Sequence, residues 1–284
     1  MQKNKKLLST LYLVPTPIGN LSDITYRAIS VLKYTDIIAV ESISRAKILL
    51  KYFAIKNQLI SLNKTNEKIK TQLIINYLKD GKTVALISNA GTPTISDPGY
   101  YLVSMCIKYK INIIPLPGAC SLITALSASG ISTNKFCYDG FLPKKKSKRI
   151  IYLKSLRHEK RTIILSESSR RLLSSLYDIA DIFGMQKRIV VAKELTKIWE
   201  TIYRNTIEEI LILLKNSDIL CRGEIILIIK NDQIKFDIIS QKAIKLLNLL
   251  FFQIPKKQAI LIVSKIFKIK KNLLYRYVIK NFLN

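Results

Sequence analysis

Six of the eight prolines and four of the nine glycines fall in three short turns, Pro15 to Gly19, Gly91 to Gly99 and Pro115 to Gly118, and each turn directly follows an apolar run. Proline stiffens a turn, and glycine lets backbone N–H and C=O groups come close to whatever lies above it. In an open α/β sheet the ligand crevice lies beyond the carboxyl ends of the strands, which is where such turns sit. The runs at 11–14, 36–41, 83–88 and 111–116 read as strands. Between them, 23–34, 44–53, 65–79 and 98–110 carry apolar residues at helical spacing, with Asp, Ser, Thr or Pro near their starts. This alternation predicts a parallel sheet flanked by helices.

A small-residue helix is expected at 119–130, followed by a second α/β unit. Its expected strands are 136–141, 161–167, 187–193 and 222–230, separated by helices at 144–156, 170–183 and 206–215. The remainder reads as helical, with Pro255 opening one helix (255–267), a turn at 268–270 and a last helix at 271–282. The organisation expected is an α/β domain at 1–118, a second at 119–233 and a helix-turn-helix-like tail at 234–284.

Several function classes drop out. The chain contains no G-x-G, so it has neither the dinucleotide fingerprint nor, lacking G-x-x-x-x-G-K-[ST], a phosphate loop. Cys106, Cys120, Cys137 and Cys221 are far apart and form no C-x-x-C, and the single His158 sits in a charged run, so neither a metal site nor histidine-based catalysis is expected. No uninterrupted apolar run is long enough for a membrane span, and MQKNKKLLST lacks a long apolar signal region, so a cytoplasmic protein is expected. A net charge of +28 would attract polyanions, yet only 11 of the 47 basic residues are Arg in a chain crowded with Lys, Ile and Asn. Charge alone does not name the partner.

Taken in order, LYLVPTPIGNLSDIT, ALISNAGTPTISDPGYYLV, IIPLPGACSLITALSASGI, FCYDGFLPKKKSK, KELTKIWETI and KKNLLYRYVI resemble the small-subunit ribosomal RNA ribose methyltransferase I family of the tetrapyrrole-methylase superfamily. The resemblance implies a two-domain α/β fold of the tetrapyrrole-methylase type, with a parallel-sheet N-terminal domain, a mixed-sheet C-terminal domain and a helical tail. It also implies S-adenosyl-L-methionine folded into the cleft between the domains of a homodimer. The cofactor would be cradled by Pro15, Pro17 and Gly19, by Gly91, Thr92, Pro93 and Ile95, and by Cys120 and Ser121, with the second domain closing near Glu167 and Ile202–Tyr203. The implied substrate is a cytidine ribose in the decoding region of 16S RNA within the assembled small subunit. The chain departs from the family pattern at Ser42, Asn89 and Ser166, where an acid, an acid and an aromatic are usual.

Methyl transfer to a hydroxyl needs in-line alignment and a group to take the proton. Glu41, Glu167, Lys193 and Glu194 are the candidates, each at an expected strand end. Phosphates would be gripped by Lys144, Lys145, Lys146, Lys148 and Arg149 and by the tail, where Lys271, Tyr275 and Arg276 combine charge with aromatic surface. Two other readings stay open: a methylase of a polycarboxylate tetrapyrrole intermediate, and an inactive RNA-binding assembly factor.

Overall fold

The computed structural model describes residues 9–215, 223–230, 239, 241–267 and 269–282. The chain divides into two compact units, Met1–Lys230 and Asn231–Asn284.

The first unit opens with β1 (Thr10–Leu13), α1 (Tyr26–Tyr34), β2 (Ile37–Val40), α2 (Ile43–Tyr52) and β3 (Gln58–Ser61). It continues with α3 (Glu67–Lys79), β4 (Val84–Ile87), α4 (Tyr100–Lys108) and β5 (Asn112–Pro115). The strands form one parallel sheet in the order β3-β2-β4-β1-β5. The strand at Gln58–Ser61 is an addition to the expected set, and the helix expected from 23 starts at Tyr26. Thr25 stops it there, since its hydroxyl oxygen accepts a hydrogen bond from the Ala28 N–H, while Asn20 caps a single 3-10 turn at Leu21–Asp23.

Alternate strand residues point to opposite faces, and both faces are buried. Leu11, Ile37, Ala39, Val84 and Leu86 pack with Ile74, Ile75 and Leu78 of α3 and Leu102 of α4. Tyr12, Val14, Ile38, Val40, Ala85 and Ile87 pack with Ala28 and Leu32 of α1 and Ala46 and Leu50 of α2. The helices after β1 and β2 lie on one face and those after β3 and β4 on the other, so the chain leaves the neighbouring strands β2 and β4 toward opposite faces, which opens a crevice at the carboxyl edge.

Next come α5 (Ser121–Ser127), β6 (Phe136–Phe141), α6 (Lys146–Leu156), β7 (Thr162–Ser168), α7 (Ser169–Phe183), β8 (Arg188–Lys193), β9 (Thr201–Thr206), α8 (Ile207–Lys215) and β10 (Glu224–Ile229). They build a mixed sheet, β6-β7-β10-β8-β9, in which β6 and β7 run parallel and the other neighbours antiparallel. Edge strand β9 is not among the expected strands, and the Arg222 end of the expected 222–230 strand lies outside the described residues. Helices α6, α7 and α8 cover one face through Leu153, Leu172, Leu176, Ile179 and Ile210. The other face, with Ile164, Val190, Ala192, Ile226 and Ile228, is covered by Ala125 and Leu126 of α5 and by Ile18 of the first turn. The first proline turn and the helix after the third thus bind the two sheets together.

One expectation is corrected in α6. Arg149, grouped with the RNA-gripping lysines, is only 4% exposed. Its Nε donates to Asp178 Oδ2 at 2.6 Å, a second guanidinium nitrogen lies 2.6 Å from the same oxygen, and a third donates to the carbonyls of Pro143 and Lys144 at 3.3 Å. Arg149 shares the buried stripe of α6 with Leu153 and Leu156, so helical phase turns it inward. Lys144, Lys145, Lys146 and Lys148 are exposed.

The tail unit packs α9 (Gln241–Phe251), α10 (Lys256–Phe267) and α11 (Lys271–Phe282) around Ala243, Leu247, Ala259, Ile260, Val263, Leu274 and Val278. The Pro255 carbonyl accepts from the Gln258 and Ala259 amides and so opens α10. Ser264 Oγ donates to the Ile269 carbonyl, closing the turn, whose Lys268 lies outside the described residues. Lys271, Tyr275 and Arg276 are exposed on α11. No helix among the described residues is long and apolar enough to cross a membrane.

Candidate active site: a cleft framed by three interlocked turns

The three turns are fastened to one another chiefly through backbone. Thr16 and Gly91 exchange both amide–carbonyl hydrogen bonds, at 3.0 and 2.8 Å, which joins the first turn to the second. Gly91 sits at φ +78°, a conformation glycine adopts without strain. Thr92 Oγ1 donates to the Ala119 carbonyl at 3.1 Å, joining the second turn to the third. Pro15 packs on Gly118 so closely that an added Cβ would lie 2.7 Å from the Pro15 Cβ. Gly19 lies under the turn at Leu195–Lys197, where Thr196 Oγ1 accepts from the Asn20 amide.

Below this frame opens a cleft of about 260 Å³. Its parallel-sheet side is lined by Glu41, Arg45, Asn89, Ala90, Ile95, Ser96 and Asp97, and its mixed-sheet side by Tyr138, Phe141, Ser166, Glu167, Glu224, Ile225 and Ile226. Ser121, at the start of α5, lines both this cleft and a smaller recess reaching Ile18, Glu194 and Lys197. Of the expected cofactor residues, Ile95 and Ser121 line the cleft. Pro15, Gly91 and Pro93 are buried within the frame, while Pro17, Gly19, Thr92 and Cys120 belong to the turns without lining either cavity. The turns shape the site more than they surface it.

Of the expected proton-transfer groups, Glu41 and Glu167 line the cleft and Glu194 lines the recess. Lys193 is buried at the end of β8, opposite Ile225 and Thr201, and lines neither. Glu167 is 1% exposed and fully engaged. Its Oε1 accepts from the Ser168 amide at 2.7 Å and pairs with Arg171 at 2.6 Å, and its Oε2 accepts from Ser175 at 2.6 Å. Glu194 pairs with Lys197 at 2.9 Å. The expected closing residues Ile202 and Tyr203 pack on opposite faces of the mixed sheet and line neither cavity.

Among the lining residues that sequence reasoning misses are Asp97, Glu224 and Tyr138. The Asp97 carboxyl is pushed up to about 6, first by burial and then by the charge of Glu41, with Glu224 adding to the effect; a Ser88 hydrogen bond and Lys64 oppose it. The loop carrying Asp97 is strained, with Thr94 at φ +72° and Ser96 at φ +65°, a cost typical of functional positions. It is held at both ends. Ser96 Oγ lies 2.7 Å from the Tyr138 hydroxyl, itself 2.9 Å from Ser166 Oγ, and Glu67 Oε1 accepts from the Gly99 and Tyr101 amides. Tyr138 and Asp97 thus return an aromatic hydroxyl and a carboxylate to the cavity that Ser166 and Asn89 also line.

With Glu167 neutralised by Arg171, the cleft sets three carboxylates against the guanidinium of Arg45, in a chain of net charge +28. A local anionic hollow beside apolar Ile95, Phe141, Ile225 and Ile226 suits a ligand of net positive charge that also carries apolar and hydroxylated surface. S-adenosylmethionine has that character, its sulfonium matching the carboxylates and its amide- and hydroxyl-binding groups matching the turn backbone, Ser96 and Ser121.

Residues 10–211 match the family model of the Tetrapyrrole (Corrin/Porphyrin) Methylases. The fold also resembles the crystal structure of uroporphyrin-III C-methyl transferase from Thermus thermophilus complexed with S-adenosylhomocysteine, at TM-score 0.55 and 14% identity over 78% of this chain and 98% of that one. Fold and family define an S-adenosylmethionine-dependent methyltransferase. The chain is 53% identical over 95% of its length, and 95% of the relative's, to ribosomal RNA small subunit methyltransferase I of Buchnera aphidicola subsp. Schizaphis graminum. It is 43% identical to the protein of the same name from Escherichia coli O157:H7, over 95% of this chain and 94% of that one. The chain therefore belongs to the tetrapyrrole methylase family and, within it, to the ribosomal RNA small subunit methyltransferase I family.

Proposed function

We propose that the protein methylates the 2′ oxygen of a cytidine ribose in the decoding region of small-subunit ribosomal RNA, acting as a homodimer on the assembled subunit. The observation that carries this reading is the sign of the charge in the cleft. Glu41, Asp97 and Glu224 would repel a tetrapyrrole intermediate, whose periphery is itself carboxylate-rich. An RNA presents a neutral ribose and base to the cavity and keeps its phosphates on the basic surface outside. A carboxylate also suits the N4 amino group of cytosine. The inactive-factor reading is disfavoured by Asp97 and Tyr138, which keep acid and hydroxyl groups in the cleft beside the changed positions Asn89 and Ser166.

The proposal gives the residues these roles. The interlocked turns and Ser121 hold the methyl donor, Glu167 fixes Arg171 and the rim of β7, and Lys144, Lys145, Lys146 and Lys148 with Lys271, Tyr275 and Arg276 grip RNA. When bound, S-adenosylmethionine supplies the methyl group. Purified protein is expected to transfer labelled methyl from it to small subunits lacking the modification, with the label mapping to one 2′ oxygen. Label entering uroporphyrinogen, or donor binding without transfer to subunits, would overturn the reading.

Replacing Lys144, Lys145 and Lys148 by Ala should weaken subunit binding at low salt and flatten the plot of log affinity against log salt by about 0.7–0.9 for each phosphate no longer neutralised. Thermal stability should stay unchanged, because all three are exposed. Lys146 is left intact, since its Nζ lies 3.8 Å from buried Asp178. A salt slope equal to that of the wild type would remove this loop from the RNA interface.

A further inference from the structure

We propose that Asp97 is the catalytic residue that takes the proton from the acceptor hydroxyl during methyl transfer, an assignment that deepens the ribose-methylation reading and rests on it. In this step a bond forms between the hydroxyl oxygen and the methyl carbon as the carbon–sulfur bond breaks. The electron pair of that bond stays on sulfur, and the hydroxyl proton passes to a carboxylate oxygen of Asp97, which later releases it to water.

The four titratable groups at strand ends lack one or another requirement. The Glu167 carboxylate has both oxygens committed to Arg171, Ser168 and Ser175. Glu194 faces the recess and is paired with Lys197, and Lys193 is buried and lines neither cavity. Glu41 lines the cleft just past the end of β2, on the segment leading into α2, with no clamp comparable to that on the Asp97 loop among the described hydrogen bonds. Asp97 differs in being both presented and positioned. The left-handed residues Thr94 and Ser96 turn the loop so that Ile95, Ser96 and Asp97 all line the cleft, the Ser96–Tyr138 hydrogen bond ties it to the opposite wall, and Glu67 clamps Gly99 behind it. A group held this way needs no reorganisation when substrate arrives.

The surroundings set its basicity. Burial first, then Glu41 beyond the end of β2, and last Glu224 from β10 act to keep it protonated, whereas the Ser88 hydroxyl and Lys64 from the segment after β3 favour its charge. The balance lies at about 6. Below this pH Asp97 carries the proton and cannot accept another; above it the carboxylate is free. A base titrating just under neutrality is ionised at working pH while staying as basic as that condition allows.

The test uses the full-length protein, labelled S-adenosylmethionine and small subunits lacking the modification. For the wild type, kcat/KM for the donor should rise with pH with a midpoint near 6. Asp97→Asn should lower kcat about 10²–10⁴-fold and abolish that rise, while calorimetry still detects donor binding and thus a folded site. Asp97→Glu should restore part of the rate. Glu41→Gln, which removes one repelling charge, should move the midpoint to lower pH, a shift no purely structural role for Asp97 produces. A near-wild-type rate in Asp97→Asn, or the same pH limb in Asp97→Asn or Glu41→Gln as in the wild type, would overturn the assignment. Wild-type protein that binds donor but leaves subunits unlabelled would sink the substrate reading instead, and the proton transfer named here with it.

Discussion

Arg149→Met is expected to destabilise the protein by about 3–5 kcal/mol, because it strands the buried Asp178 carboxylate without its partner. Asp178 is 2% exposed, and its remaining cation, Lys146, is 3.8 Å away on a largely solvated side chain. The Pro143 and Lys144 carbonyls lose their donor as well. In a domain of this size the loss corresponds to a fall in Tm of roughly 10 °C. Because the pair itself costs desolvation, Arg149→Met combined with Asp178→Leu should recover most of the loss. Thermal melts of the two variants decide the matter. If Arg149→Met melts within a degree of wild type yet binds subunits weakly, Arg149 is an RNA ligand after all.

The second large effect is expected on donor binding. At Gly118 an added methyl meets Pro15 Cβ at 2.7 Å and Cγ at 3.0 Å, and a proline ring cannot swing aside as a long side chain would. Gly118→Ala must therefore push the first and third turns apart. Overpacking of this kind costs about 1–3 kcal/mol. Where the strain is relieved by opening the frame, donor affinity should fall about tenfold or more, since about 1.4 kcal/mol corresponds to one decade. Calorimetric titration with S-adenosylhomocysteine measures it. Unchanged affinity in Gly118→Ala would mean that the turns can separate without disturbing the cleft.

The outline of the fold is legible in the sequence because its central strands are short apolar runs, two of which, β1 and β4, lead into turns rich in proline and glycine. What stays hidden are two of the four edge strands. β3 reads Gln-Leu-Ile-Ser and β9 Thr-Ile-Tyr-Arg-Asn-Thr; both are half-exposed, and their identity comes from pairing with β2 and β8 rather than from their own composition. The inward turn of Arg149 is legible once α6 is phased, since it stands four and seven residues before Leu153 and Leu156, on the face that must be buried. Asp97 is not. In Ser-Asp-Pro-Gly an aspartate looks like ordinary turn chemistry. Its meaning depends first on burial in the cleft and then on Glu41, brought beside it from the end of β2, with Glu224 of the mixed sheet adding a smaller effect.

The Thr16–Gly91 link has an evolutionary corollary. Its two hydrogen bonds use only main-chain atoms, so no change of side chain at position 16 deletes them, short of proline. The junction between the first two turns is in that respect insulated from mutation. A chain as rich in lysine, isoleucine and asparagine as this one can keep the geometry of its ligand site intact, with selection needed at few positions to preserve it.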